Sequence, residues 1–320
     1  MPAESILPAS KMSSTQTLTA SSVELVQLGE LPMLRVHNNC ATALIALQGG
    51  QVLEFVPRGE RAIIWLSEQA AFKRGQSIRG GIPICWPWFG DLERNPAAVR
   101  AGLPASKMPA HGLVRAQPWL LESVVDQPAL TRIVLRYPAA ELSASWPHAA
   151  DLTLTISIGT TLRLQLGTRN TGSTVDGTTL ALTQALHTYF AISDIRQVEI
   201  DGFENTTYID TLQDWREFPQ QGAIRIDGEV DRIYRQVPAH IQLRDAGWQR
   251  TIHLRTHSST SAVVWNPHIE KSKRLNQFAA DAWQRMLCIE TANVMDDNVV
   301  LAAGGEHVLE LEIWSEGANS

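Results

Sequence analysis

Asp151 to Gly167 reads DLTLTISIGTTLRLQLG. Leu152, Leu154, Ile156 and Ile158 alternate with Thr153, Thr155 and Ser157. After Gly159-Thr160 the alternation resumes at Leu162, Leu164 and Leu166. Two period-two runs across a short glycine-containing turn predict a β-hairpin with one apolar face. The same pattern returns at Leu309, Leu311 and Ile313 against Glu310 and Glu312, and in shorter form at Ile133 and Leu135. Further apolar runs lie near 24–36, 41–56, 177–190, 223–236, 240–256 and 261–265. Helical periodicity is weak, with a short helix expected around 66–73 and another around 274–285. Many strands, few helices and no linker predict an all-β chain folded as one large antiparallel β-sandwich. Its expected span is residues 23–317, after a poorly ordered leader at 1–22 that is rich in Ser, Thr, Ala and Pro and lacks the apolar segment of a signal peptide.

A chain of 320 residues with 44% hydrophobic content can bury a sizeable core. Its net charge of −6, with acids and bases interspersed, argues against a general nucleic-acid surface. No apolar stretch approaches the length of a membrane span. Cys40, Cys85 and Cys288 are odd in number and scattered, so neither a disulfide framework nor a zinc site is expected, and a reducing cytoplasmic compartment fits. The longest irregular stretch, about 85–112, carries Trp86 and Trp88, and a loop of that length with aromatic content points to function.

Candidate chemistry concentrates in the last third of the chain. Met286-Leu287-Cys288-Ile289 is an apolar, strand-like run that ends in Glu290. A carboxylate set among core residues is costly unless it is paired or used, and burial raises its pKa toward neutrality. The alternative is an ordinary acid at a strand end, facing water. In Thr179 to Phe190, TLALTQALHTYF, strand geometry places His187 on one face with Ala181, Thr183 and Ala185, and Leu180, Leu182 and Leu186 on the other. Small neighbours leave open space before the imidazole; a core histidine bonded to a carbonyl is the bland reading. Arg79 lies in SIRGGIP and Arg115 in AHGLVR. A guanidinium fork suits an anion or paired hydroxyls, and the adjacent glycines would let backbone approach a ligand, but a surface arginine in a turn reads the same way. Asp231 follows Glu229-Val230 and is either a ligand contact or a turn residue. Lys271, Lys273 and Arg274 form a basic run that is either a solvated face or part of a phosphate site. There is no GxSxG elbow, P-loop or HExxH pair, and nothing beside Cys85 would lower its pKa.

These segments, in this order, resemble the aldose 1-epimerase (galactose mutarotase-like) superfamily, above all its glucose-6-phosphate 1-epimerase branch. The matching motifs are SIRGGIPICWPWFG at 77–90, AHGLVR at 110–115, LHTYF at 186–190, GEVDRIY at 228–234, VVWNP at 263–267 and MLCIET at 286–291. The resemblance implies a β-sandwich that holds a sugar on one sheet, with His187 and Glu290 as the catalytic pair and Arg79, Arg115 and Asp231 as substrate contacts. Some relatives carry glutamine where this chain has Ala110, and a smaller or polar residue at Trp88, which the resemblance places at the pocket mouth. Mutarotation needs a base at the anomeric hydroxyl and an acid at the ring oxygen; Glu290 and His187 are expected in those roles, with His187 donating as imidazolium. No metal or organic cofactor is implied. The expected partner is a hexose 6-phosphate, with no nucleic acid or membrane, and the expected state is a monomer. The competing readings are a mutarotase of unphosphorylated aldoses and a non-catalytic sugar-phosphate binding protein.

Overall fold

A computed structural model describes residues 21–103, 108–138, 146–173, 175 and 179–317. The expected leader, apart from its last two residues, lies outside the described residues. The hairpin forms as the alternation requires. Strands Ala150–Ile158 and Leu162–Asn170 pair antiparallel with Leu154 opposite Leu166 and Ile158 opposite Leu162. All seven of its inward leucines and isoleucines are fully buried. Each such side chain contributes roughly 1.5–3 kcal/mol relative to exposure. A one-residue slip would turn the whole set outward, so the pattern fixes the register.

That hairpin sits inside an eight-stranded antiparallel sheet running Val198–Asp201, His240–Asp245, Arg250–His257, Glu306–Gly317, Leu162–Asn170, Ala150–Ile158, Leu130–Tyr137 and Leu120–Gln127. A second sheet of eight strands runs Arg216–Pro219, Thr207–Asp210, Val230–Arg235, Ser261–Asn266, Met286–Asn293, Gln184–Leu186 and Ile84–Cys85, with Tyr189–Ala191 also pairing onto Met286–Asn293. Val23–Leu28, Leu31–His37, Ala41–Ala46 and Gln51–Pro57 form a four-stranded antiparallel sheet. One hydrophobic cluster takes residues from all three sheets, from Val23 to Ile313. The fold is therefore the expected β-rich antiparallel one. No described helix is long and apolar enough to cross a membrane.

Both helix expectations fail in position. Residues 66–73 form turns and a bridge rather than a helix. Their polar groups are taken up by a distant residue: Ser67 Oγ donates to Gln277 O, and Gln277 Oε1 accepts from Ala71 N. The other expected helix is replaced by a five-residue helix at His268–Ser272 and a 3-10 turn at Ala282–Gln284.

Within the segment 85–112 the two tryptophans depart from their reading. Trp86 and Trp88 are fully buried. Trp86 Nε1 donates to Thr168 Oγ1 at 3.1 Å, and its ring meets Trp146 edge-on at 4.7 Å. Trp88 Nε1 donates to Pro109 O. The two indoles anchor the loop to the core, and Trp88 is not among the residues lining the pocket. Gly112 completes the anchor at φ +81, where an added Cβ would lie 2.0 Å from Trp86 O. Gly112→Ala is expected to destabilise the fold by more than about 2 kcal/mol, through both the left-handed backbone and the collision. The measurement is the urea midpoint; an unchanged value would show the two segments to be loosely packed.

Candidate active site

One face of the second sheet carries the chemistry because strand residues two apart share a face. Ile233 pairs with Val263, and Val263 with Glu290. Leu186 pairs with Thr291 and Tyr189 with Cys288, so the register carries His187 opposite Glu290. The adjacent row is Asp231, Trp265, Cys288 and Tyr189. Two rows of side chains thus form the floor of a cavity of about 510 Å³, within the range of small-molecule sites. Its walls come from the loops bearing Arg79, Phe89, Arg94, His111 and Arg115.

Arg79, Arg115, His187, Asp231 and Glu290 all line this cavity. His187 Nε2 lies 3.4 Å from Glu290 Oε1, with the residues 8% and 1% exposed. Glu290 is therefore not a water-facing strand end. His187 Nδ1, Glu290 Oε2 and Arg115 Nε are buried without a hydrogen-bond partner among the described residues. Buried polar atoms are seldom left unpaired, and three around one cavity mark a place prepared for a polar ligand.

Burial sets the proton inventory. It pushes the Glu290 carboxyl well above the usual carboxylate range; the nearby Asp231 adds to this and Arg115 opposes it. Burial also pulls His187 well below the ordinary imidazole range, helped by His111, Arg115 and Arg79. Burial therefore favours the uncharged form of both groups, the protonated carboxyl and the neutral imidazole. The expectation of a resting imidazolium is corrected on this point, because a lone buried cation is costly.

The other residues are held by polar contacts. Arg79 Nη1 donates to Tyr189 Oη at 3.2 Å, and Arg79 Nε to Asn276 O at 3.4 Å. Gly80 and Gly81 do not approach the cavity: an added Cβ would meet Trp65 O at 2.7 Å and Val52 O at 2.4 Å, so they serve packing within the chain. Asp231 lies 3.8 Å from Lys271 Nζ, which also pairs with Glu229 at 3.2 Å. Burial nevertheless raises the Asp231 carboxyl, against the pull of Lys271. The basic run splits: Lys271 faces the cavity, while Lys273 pairs with Glu270 at 2.6 Å on the surface.

Several lining residues escaped the sequence reading. The Tyr189 ring stacks on His187 at 4.9 Å and 6°, and Trp265 stands edge-on to both. Tyr189 is two residues beyond His187, so strand alternation was a usable signal for it. His111, at φ +64, lies 5.7 Å ring to ring from His187. Its Nδ1 accepts from Gly90 N at 3.4 Å, and burial with Arg115 and Arg79 lowers it to about 3. The Cys85 thiol, pushed up to about 12 by burial, is no nucleophile.

Comparisons with known proteins place the chain in a family. The family model described as aldose 1-epimerase matches residues 32–314. A protein of Cenchrus ciliaris named "Putative glucose-6-phosphate 1-epimerase" is 33% identical over 287 residues, covering 87% of this chain and 82% of its own length. One of the same name from Escherichia coli strain K12 is 31% identical over 288 residues, covering 89% and 90%. The crystal structure of a Salmonella typhimurium protein named "putative mutarotase" superposes with a TM-score of 0.82 at 27% identity, covering 93% of this chain and 95% of that one. The chain belongs to the aldose 1-epimerase family.

Proposed function

We propose that the protein interconverts the α and β anomers of an aldohexose 6-phosphate, glucose 6-phosphate foremost, by acid–base opening and reclosure of the pyranose ring. The observation that carries the reading is the buried His187–Glu290 contact at 3.4 Å, in a cavity that also holds Arg79 and Arg115. The names of the relatives support the phosphorylated substrate. Three free cysteines fit the cytoplasm.

Between the raised carboxyl and the lowered imidazole the pair carries one proton. With the proton on His187, the Glu290 carboxylate takes the O1 proton while His187 delivers its own to the ring oxygen. The C1–O5 bond breaks, the open-chain aldehyde forms, and the pair is left as neutral acid and neutral imidazole. Rotation about C1–C2 and the reverse transfers close the ring on the other face. Arg79, Arg115 and Asp231 are proposed to hold the substrate against the pair. A binding protein without turnover would have no use for such a pair.

The direct test is anomer exchange followed by NMR or polarimetry on glucose 6-phosphate, glucose and galactose. Catalysis of the phosphorylated sugar at the highest kcat/KM is expected; equal or better rates on glucose or galactose would move the assignment to a general aldose mutarotase. Arg79→Ala or Arg115→Ala is expected to raise KM for glucose 6-phosphate about tenfold or more beyond any rise for glucose, since each guanidinium gives a dianion charge-assisted hydrogen bonds. Some loss of kcat should follow, because binding energy orients the reacting centre. If both substrates suffer equally, these arginines read the sugar ring. The existing commitment of Arg79 to Tyr189 Oη gives that second reading its footing.

A further inference from the structure

Four cationic side chains line the cavity: Arg79, Arg94, Arg115 and Lys271. Lys271 is neutralised by Glu229 and Asp231, and Arg79 is engaged by Tyr189 Oη and Asn276 O. Arg94 differs. Its guanidinium lies over the Trp215 ring, 4.8 Å from the centroid, and among the described residues no carboxylate lies within ion-pairing distance of it. The two side chains arrive from opposite edges of the sheet. Arg94 follows the edge strand Ile84–Cys85, and Trp215 precedes the far edge strand Arg216–Pro219. Both side chains line the cavity, with His187 and Glu290 on strands between.

Both ends of this contact are held in place. The 3-10 turn Leu92–Arg94 is fixed by Asn95, 8% exposed, whose Nδ2 donates to Phe89 O and Asp91 O at 2.9 Å. Asn95 Oδ1 bonds Thr183 Oγ1, next to the strand that leads to His187. On the other side Asp214 and Trp215 both hold left-handed backbone, at φ +56 and +58. That conformation is disfavoured for side-chain-bearing residues and persists only where surroundings impose it. Here the Asp210 carboxylate takes the Leu212 N–H at 3.0 Å and the Gln213 amide at 3.1 Å. A guanidinium resting over an indole satisfies the ring through its face and can still present N–H groups to a phosphate in bidentate fashion.

We propose that Arg94, braced on Trp215 in the cavity wall, is a specificity-determining cation that selects aldose 6-phosphates over free aldoses. The proposal rests on the epimerase reading above and adds the residue that distinguishes the phosphate end of the substrate. Arg94 is exposed, so its substitution leaves the core intact. The experiment measures kcat/KM for glucose 6-phosphate and for glucose in the wild type, Arg94→Ala, Arg94→Lys and Trp215→Leu. It also measures inhibition of glucose exchange by inorganic phosphate. Arg94→Ala is expected to lower the preference for the phosphorylated sugar about tenfold or more, and to weaken phosphate inhibition in parallel. Arg94→Lys should recover part of the preference, since the charge stays and the fork is lost. Trp215→Leu should fall between the wild type and Arg94→Ala. An unchanged preference in Arg94→Ala would overturn the proposal. A wild type without exchange activity on any aldose would overturn the epimerase reading instead. Calorimetry with inorganic phosphate then still decides the role of Arg94: binding weakened in Arg94→Ala supports it, and equal binding overturns it.

Discussion

Glu290→Gln is expected to lower kcat for anomer exchange by about 10²–10⁴-fold, the usual contribution of a positioned proton-transfer group, with substrate affinity retained. The amide has the shape of the carboxyl and fits the same buried place opposite Val263, so the strand should not be disturbed. What disappears is the capacity to take the anomeric proton and return it on reclosure. The proposed exchange is consistent with the raised carboxyl: burial lifts an acid that ordinarily ionises near pH 4.5 well above that value. The check is the exchange rate together with a binding isotherm for glucose 6-phosphate. Near-wild-type exchange would remove Glu290 from the proposed mechanism, and loss of binding with loss of rate would make it a substrate contact only.

His187→Asn should also cost about 10²–10⁴-fold in kcat, with a smaller residual rate than Glu290→Gln. The direction of the His187 shift adds a pH test. Burial lowers its pKa, so His187 gains a second proton for the pair only at pH values below 6.5, the ordinary imidazole value. The one-proton state is then lost on the acid side below 6.5, and on the alkaline side above the usual carboxylate range, where Glu290 ionises. For glucose, kcat/KM is expected to stay level as pH falls through 6.5 and to decline only below it. Glucose is the right substrate for the profile because the second ionisation of a phosphate, near pH 6, would overlay its own limb. An acid limb centred at or above 6.5 would mean that the imidazole is not desolvated in the working enzyme.

How much of this was legible beforehand varies with the range of the forces involved. The leucine and isoleucine alternation of the 152–166 hairpin is a local signal, and the strands formed with that alternation and register. In place of the helix expected at 66–73, Ser67 N donates to Arg79 O and Ala71 N to Gln277 Oε1, the latter some two hundred residues away in sequence. Trp86 and Trp88 were legible as important but not as buried. An indole in a loop reads alike whether it lines a ligand or anchors the loop, and only the acceptors at Thr168 and Pro109 decide.

The candidate site divides the same way. The sequence by itself determined the β-rich class, the family motifs and the five residues that converge on the cavity, because alternation, residue chemistry and motif order are properties of the linear chain. Only the tertiary structure decided that His187 stands opposite Glu290, that His187 rests uncharged, that Lys271 is already paired, and that Arg94 lies over Trp215. Each of these depends on desolvation or on a charge from a distant strand, and neither quantity exists until strands far apart in sequence are brought side by side.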